Sequence, residues 1–345
     1  MQMGLHSLLA IAAVALLQLS AKASLECSHV VDEYLHRHHK EASPYTSDDQ
    51  LIYFLHVPRT AGRTFHSCFL KMGMEPSKRC PKAYDHLRIN VTVPNCHLLS
   101  SHDDFSVVSM LPENVAVLTH LRDPVDRFLS AYEFAVEVGA RAAIRPPNFR
   151  KRPNKVATED VWPWSYLVPW FGEIIKERLE KVKDIPQPST GNWIHVKHPD
   201  GAQYYYNKVL NVSRWNLTEE EEKLVLPPLD PYNNELVMPL REFVAHPVAA
   251  ELLHNGQAFQ VLGVTNYSHW GDADALRACV WQQDRVKEQM LGVAKERVSR
   301  FFHVGVTNRL ADSVTAAAVA LKYPLDGPAY AGGEDDTAPS RRKAA

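Results

Sequence analysis

"FLHVPRTAGRTF", Phe54–Phe65, joins an apolar approach, a short polar turn and the opening of a helical pattern. The approach starts at Leu51 (Leu51-Ile52-Tyr53-Phe54-Leu55), and the turn is Pro58-Arg59-Thr60-Ala61-Gly62-Arg63-Thr64. Strand, loop and helix start in this order can cradle a phosphate, because the first N–H groups of a helix lack partners within it. A nucleoside-triphosphate loop would read G-x-x-x-x-G-K-[ST], with the lysine on the phosphates and the hydroxyl on Mg²⁺. This stretch has neither feature, and an arginine precedes its glycine. Two readings stay open from these residues alone: a loop for some other anion, or an uninvolved strand-to-helix turn.

Two further strand-like runs lie downstream. Cys96–Ser100 ends at Ser101-His102-Asp103-Asp104, and Val115–Leu121 ends at Arg122-Asp123-Pro124. Asp123 suits an N-cap and Pro124 the first helical position. Val125, Phe128, Leu129, Tyr132 and Val136 then recur at helical spacing. Short apolar strands alternating with helices predict an α/β fold with a central, largely parallel sheet. Ligands of such sheets sit at the carboxyl ends of the strands. Arg59, His102 and Arg122 each follow a predicted strand, so they are expected to converge. "THLRDPVDRFLSAYE" also places Ser130 in the helix behind Arg122. A guanidinium and a hydroxyl can grip one phosphate together.

These two motifs carry a family resemblance. "HVPRTAGRTF" resembles the 5′-phosphosulfate loop of sulfotransferases that use 3′-phosphoadenosine 5′-phosphosulfate. "LRDPVDRFLSAYE" resembles their 3′-phosphate motif. The set formed with "LLSSHDDFSVVSMLP", "WPWSYLVPW", "NNELVMPL", "HNGQAFQVLGVTNYSH" and "HVGVTNR" is similar to plant-type protein-tyrosine sulfotransferases, relatives of the heparan sulfate 6-O-sulfotransferases. The resemblance implies a P-loop-like sulfotransferase fold. It implies that Arg59, Thr60, Ala61, Gly62, Arg63 and Thr64, with Arg122 and Ser130, bind the phosphosulfate nucleotide. Most sulfotransferases have a lysine where this chain has Arg59. Arginine stays charged and cannot donate a proton, so Arg59 is expected to stabilise charge on the bridging oxygen. By similarity to the 6-O enzymes, His102 takes the position of the base, with Asp103 or Asp104 to orient it and Glu133 as a reserve base. The implied reaction is sulfuryl transfer to tyrosine hydroxyls of secreted proteins or peptides. A carbohydrate O-sulfotransferase and a non-catalytic luminal adaptor are the alternatives. Arg145, Arg150, Lys151 and Arg152 are candidates to line a groove for an acidic peptide, or equally a solvated charge run.

Residues 189–218 break the α/β pattern. They hold a turn signal at Pro199-Asp200-Gly201 and predict a three-stranded β meander. Trp193, Trp215 and "YYYN" make this insert resemble a WW domain. The resemblance implies a ligand face at Tyr204 and Trp215, with Trp193, Tyr205 and Asn207 structural, and proline-rich segments as partners. The proline expected after Trp215 is absent and Lys208 replaces the usual histidine, so a purely structural insert is the other reading.

The chain has 345 residues, 45% hydrophobic and 23% charged, enough for a sizeable core. Lys plus Arg (38) nearly balance Asp plus Glu (40), so no global basic field points to nucleic acid. Leu8–Leu17 is an unbroken apolar run followed by Ala21-Lys22-Ala23, the pattern of a signal peptide over 1–23. The sequons at Asn90, Asn211, Asn216 and Asn266 suit a secretory route through the Golgi lumen, with the protein soluble or N-terminally anchored. Of Cys27, Cys68, Cys80, Cys96 and Cys279, the pair Cys80 and Cys96 is the first choice for a disulfide in an oxidising lumen. No cysteine–histidine spacing suggests a metal site. The expected layout is a flexible lead-in over 24–48, a core over 49–188 and 219–322, the insert over 189–218, and a disordered tail over 323–345. Within it, "AFQVLGVT" is expected as a buried strand and Arg277–Phe301 as one long helix, while Trp162-Pro163-Trp164 and Val168-Pro169-Trp170 are expected as core packing, with substrate contact as the alternative, ahead of a helix over Phe171–Val182.

Overall fold

The computed structural model describes residues 26–37, 41–47, 49–80, 96–143, 157–181, 193–197, 203–207, 212–218, 221 and 230–323. The expected signal peptide, Asn90, Asn211, the 145–152 basic run, the Pro199 turn, Lys208 and the tail beyond Tyr323 lie outside these residues. The described chain falls into two compact units. One holds the residues up to Phe128, Asp160–Pro163 and the chain from Glu251; the other holds Leu129–Glu159 and Trp164–Ala250. The second unit therefore groups the β insert with segments expected to belong to the core.

The first unit is the α/β sheet. Strands β1 (Ile52–Leu55), β2 (Leu98–Ser101), β3 (Ala116–Leu121) and β7 (His303–Val306) pair in the order β2-β1-β3-β7, all parallel. β1 is central and buried along its whole length. Its side chains alternate between two apolar layers, as strand geometry requires. Tyr53 and Leu55 enter one layer with Phe105, Phe259 and Met290. Ile52 and Phe54 enter the other with Phe65, Phe69, Leu70 and Leu321. Covering both faces of a parallel sheet explains why β1 reads as a continuous apolar run and β3 as a mostly apolar one.

A helix occupies residues 26–36, called α1. The lead-in expected as flexible is thus ordered in its first part. Cys27, Val31 and Tyr34 recur at helical spacing and are buried in the first layer. Tyr34 donates from its hydroxyl to the Leu262 carbonyl at 2.6 Å. A Cys27–Cys279 disulfide ties α1 to the far end of the chain, and Cys80 is bonded to Cys96. Cys68 is free and exposed.

After β1, helix α2 runs as α over Gly62–Thr64, as π over Phe65–Leu70 and as α again over Lys71–Gly73. Helix α3 is Pro124–Ala143 and α4 is Trp164–Lys181. Short helices follow: α5 (Leu240–Ala245), α6 (Pro247–Leu252) and α7 (Gly256–Leu262). α7 corrects the buried strand expected over "AFQVLGVT". A short apolar run does not distinguish the two by periodicity, and here left-handed residues at both ends, Asn255 (φ 53°) and Gly263 (φ 73°), bound one helix. The long helix expected over Arg277–Phe301 is two, α8 (Ala273–Gln282) and α9 (Asp284–Ser299), because Gln283 is extended. Helix α10 is Leu310–Leu321, and Tyr323 beyond it packs on Phe69 with ring centroids 5.7 Å apart.

The second unit has an aromatic core of its own. Tyr132, Phe171 and Phe243 are buried with ring centroids 5.1–5.9 Å apart. The Tyr132 hydroxyl lies 2.7 Å from the Pro231 carbonyl and 2.8 Å from that of Met238. Trp164, expected as packing, is buried against Phe134. The insert is an antiparallel sheet of β4 (Trp193–Lys197), β5 (Gln203–Asn207) and β6 (Val212–Arg214), in that order. Trp193 and Asn207 pair across β4 and β5 and both are buried. Trp215 is 68% exposed, with its ring edge-on to Tyr204 at 6.0 Å.

Candidate active site

The carboxyl ends of β2, β1 and β3 place three loops side by side. The β1 loop turns sharply. Arg59 (φ 69°) and Ala61 (φ 62°) are both left-handed, an uncommon state for residues with a Cβ. Such strained residues cluster at ligand clamps, and alternating backbone hands shape anion-binding concavities. Thr60 is fully buried and braces the turn, its hydroxyl donating to the Val57 carbonyl at 2.8 Å. Gly62 is required by contact: a Cβ there would lie 2.2 Å from His56 Cδ2. Arg59 is partly exposed, and Arg63 and Thr64 are exposed at the helix start.

Arg122, past β3, reaches this loop. Its Nη1 donates to the Arg59 carbonyl at 3.3 Å. Its own backbone is held twice by Gln257. The Arg122 N–H donates to Gln257 Oε1 at 2.9 Å, and Gln257 Nε2 donates to the Arg122 carbonyl at 2.8 Å. Asp123 caps α3 as expected, accepting from the N–H groups of Val125 (2.9 Å) and Asp126 (3.0 Å). Ser130 is buried on α3 and belongs to the second unit. So does Glu133, which accepts from the Tyr232 hydroxyl at 2.8 Å.

His102, past β2, is 7% exposed, and its ring centroid lies 4.2 Å from that of His56. The two carboxylates that follow it hold other groups. Asp103 is anchored by the Ser101 hydroxyl and faces His269 Nε2 at 3.5 Å. Asp104 accepts from the Thr265 N–H at 2.9 Å, the Thr265 hydroxyl at 2.7 Å and the Ser106 N–H at 3.0 Å. Burial nevertheless raises the Asp104 pKa, against those hydrogen bonds. The His102 backbone is held from α7: Gln260 Nε2 donates to the His102 carbonyl at 2.9 Å. His56, Gln257 and Gln260 are the site residues that the sequence reading missed. His56 had a readable signal, since it also follows β1 directly; Gln260 lay in the run read as a strand and Gln257 just before it.

Histidines dominate the electrostatics. Burial, then the neighbouring His102, His66 and His120, hold the His56 pKa well below the usual imidazole value. Burial first, then Lys71 and Arg79, brings His66 down to about 4, and burial with His303 does the same for His120. These groups bind protons in the unfolded chain near pH 6.5 but not in the folded one. Their contribution is intact above that pH and is lost as pH falls towards 4. His269 has the opposite sign, because Asp103 raises its pKa. It is outnumbered, so the melting temperature is expected to drop between pH 6.5 and 4, and a flat melting profile there would refute this account.

Among the described residues no group of three or more histidine, cysteine or acidic side chains could hold a metal ion, and no helix is long and apolar enough to cross a membrane. The two disulfides fit an oxidising compartment.

No family model matches the chain, and no solved structure matches it. It is 34% identical over 275 residues to the protein-tyrosine sulfotransferase of Arabidopsis thaliana, an alignment that covers 77% of this chain and 48% of that protein. The chain thus spans about half the length of the curated relative it matches. Across more than three quarters of its own length, the chain is a homologue of the plant-type protein-tyrosine sulfotransferase.

Proposed function

We propose that the chain transfers the sulfuryl group of 3′-phosphoadenosine 5′-phosphosulfate to tyrosine hydroxyls of secreted proteins or peptides, in the Golgi lumen. The observation that carries this reading is the arrangement of the Arg59 loop, His102 and Arg122 on three adjacent strand ends, in a homologue of a tyrosine sulfotransferase. The β1 loop, Arg59–Thr64, takes the 5′-phosphosulfate. Arg122, with Ser130 as the hydroxyl of the same sequence motif, takes the 3′-phosphate. In the reaction a bond forms between the acceptor oxygen and sulfur, and the bond from sulfur to the bridging phosphate oxygen breaks. The acceptor proton goes to His102, and the charge left on the bridging oxygen faces Arg59. Positioning and charge stabilisation do most of the work in such a transfer, as in phosphoryl transfer. Asn216, exposed beside Trp215, and Asn266 are proposed glycan sites.

The β insert supports a second, smaller reading. Tyr204 and the exposed Trp215 stand edge to face, the pairing from which a proline-rich segment is gripped in WW-type modules. We assign that face to acceptor docking.

The test is nucleotide protection followed by acceptor choice. Saturating 3′-phosphoadenosine 5′-phosphate should raise the melting temperature, since a ligand at 100 times its Kd adds about 2.7 kcal/mol. No rise removes the enzyme reading. Labelled donor should then mark an acidic tyrosine peptide; label in a heparan-type glycan alone would reassign the acceptor.

A further inference from the structure

The Arg122 and His102 loops are held in part by an element outside them. One short helix, α7, bonds to both the Arg122 loop and the His102 loop. In the sheet, β1 lies between β2 and β3. The ends of β2 and β3 are therefore two strand spacings apart, about 9.5 Å. A seven-residue helix such as α7 is about 10 Å long. α7 has the length to reach from one loop to the other.

Its contacts run in that order. At its start, buried Arg127 on α3 donates to the Leu253 carbonyl at 2.5 Å, and a Cβ on Gly256 would lie 2.7 Å from Arg127 Nη2. Gln257 then makes its paired bonds to the Arg122 backbone. Gln260, one turn on, bonds the His102 carbonyl and is fully buried. At its end, Gly263 is left-handed, and a Cβ there would lie 2.5 Å from the Ser106 N–H nitrogen. Thr265 closes the series on Asp104. A spacing of three residues puts Gln257 and Gln260 on one helix face. Phe259, Val261 and Leu262 anchor the remaining faces in the apolar layer.

We infer that Gln257 and Gln260 are positioning residues with separate tasks: Gln257 sets Arg122 for the nucleotide, and Gln260 sets His102 for the acceptor proton. This rests on the sulfotransferase reading. Their roles differ because each amide grips the backbone of a different loop. Neither glutamine is assigned a contact with substrate.

The division of labour gives a split that a general loss of stability would not. In the full chain, Gln260→Met removes the donor to His102 while keeping length and volume. It is expected to lower kcat at least tenfold and to leave the Kd for 3′-phosphoadenosine 5′-phosphate within twofold. Gln257→Met is expected to do the reverse, raising that Kd about tenfold with a smaller change in kcat. Gln257→Glu keeps the acceptor for the Arg122 N–H and loses the donor, so its Kd should fall between those of Gln257→Met and the unaltered chain. Should a Met variant fail to fold, Gln257→Asn and Gln260→Asn, which keep a neutral amide but withdraw it by one methylene, carry the same comparison. If kcat and Kd move together in both variants, or neither moves, the assignment is wrong. His102→Ala separates this failure from failure of the wider reading: an active His102→Ala removes the base, whereas an inactive one beside an unaffected Gln260→Met removes only the role of Gln260.

Discussion

His102→Ala is expected to lower turnover by about 10²–10⁴-fold, the range for losing a positioned general base. Nucleotide protection in a melting experiment should persist, because Arg59 and Arg122 come from other loops. The expectation rests on where the ring sits. His102 follows β2, is nearly buried, and its ring is tilted against that of His56 with centroids 4.2 Å apart. His56 is itself held neutral by burial and by the surrounding imidazoles. A base must be unprotonated when the acceptor arrives, and a charge on one of two adjacent imidazoles discourages charge on the other. Activity within a few-fold of the unaltered chain would show that another group takes the proton. Glu133, whose carboxylate accepts from the Tyr232 hydroxyl through one oxygen, would then be the group to test.

How far the sequence could be read follows from what holds each part in place. β1 and β3 were legible because a parallel sheet covered on both faces demands mostly apolar runs, unbroken in β1 and interrupted in β3 only by the buried Thr119 and His120. The α3 start was legible because Asp123 and Pro124 are local signals, and the Asp123 carboxylate does cap the helix. The loop residues Arg59, His102 and Arg122 were legible because strand ends determine where ligands can sit. α7 was not. Its apolar residues are too few to show a helical period, and its identity depends on Gly263 packing against Ser106, a contact remote in sequence. The partners of Asp103 and Asp104 were hidden for the same reason. Both carboxylates are adjacent to His102 in the chain, yet His269 and Thr265, brought in by tertiary structure, claim them. Cys27 could not be assigned to Cys279 from spacing, since 252 residues separate them.

The Arg59 position gives the second large effect. Arg59→Ala is expected to lower turnover by about 10²–10³-fold, the scale for removing one group aimed at developing charge. The substitution is unusually clean. Alanine has a Cβ like arginine, so the left-handed backbone at φ 69° is no less strained after the change. The Arg59 carbonyl also remains available to Arg122 Nη1, so the coupling between the two loops is kept. What disappears is the guanidinium alone. Arg59→Lys then asks what kind of group the reaction needs. Lysine restores the charge as a point, without the planar fork that can hold two oxygens at once. If charge near the bridging oxygen suffices, lysine should recover most of the lost turnover, and the residue usual in other sulfotransferases would serve here too. If recovery stays below about tenfold, the fork geometry matters, and the loop has been shaped around arginine. Full activity in Arg59→Ala would contradict both versions and leave Arg63, exposed at the helix start, as the cation to examine.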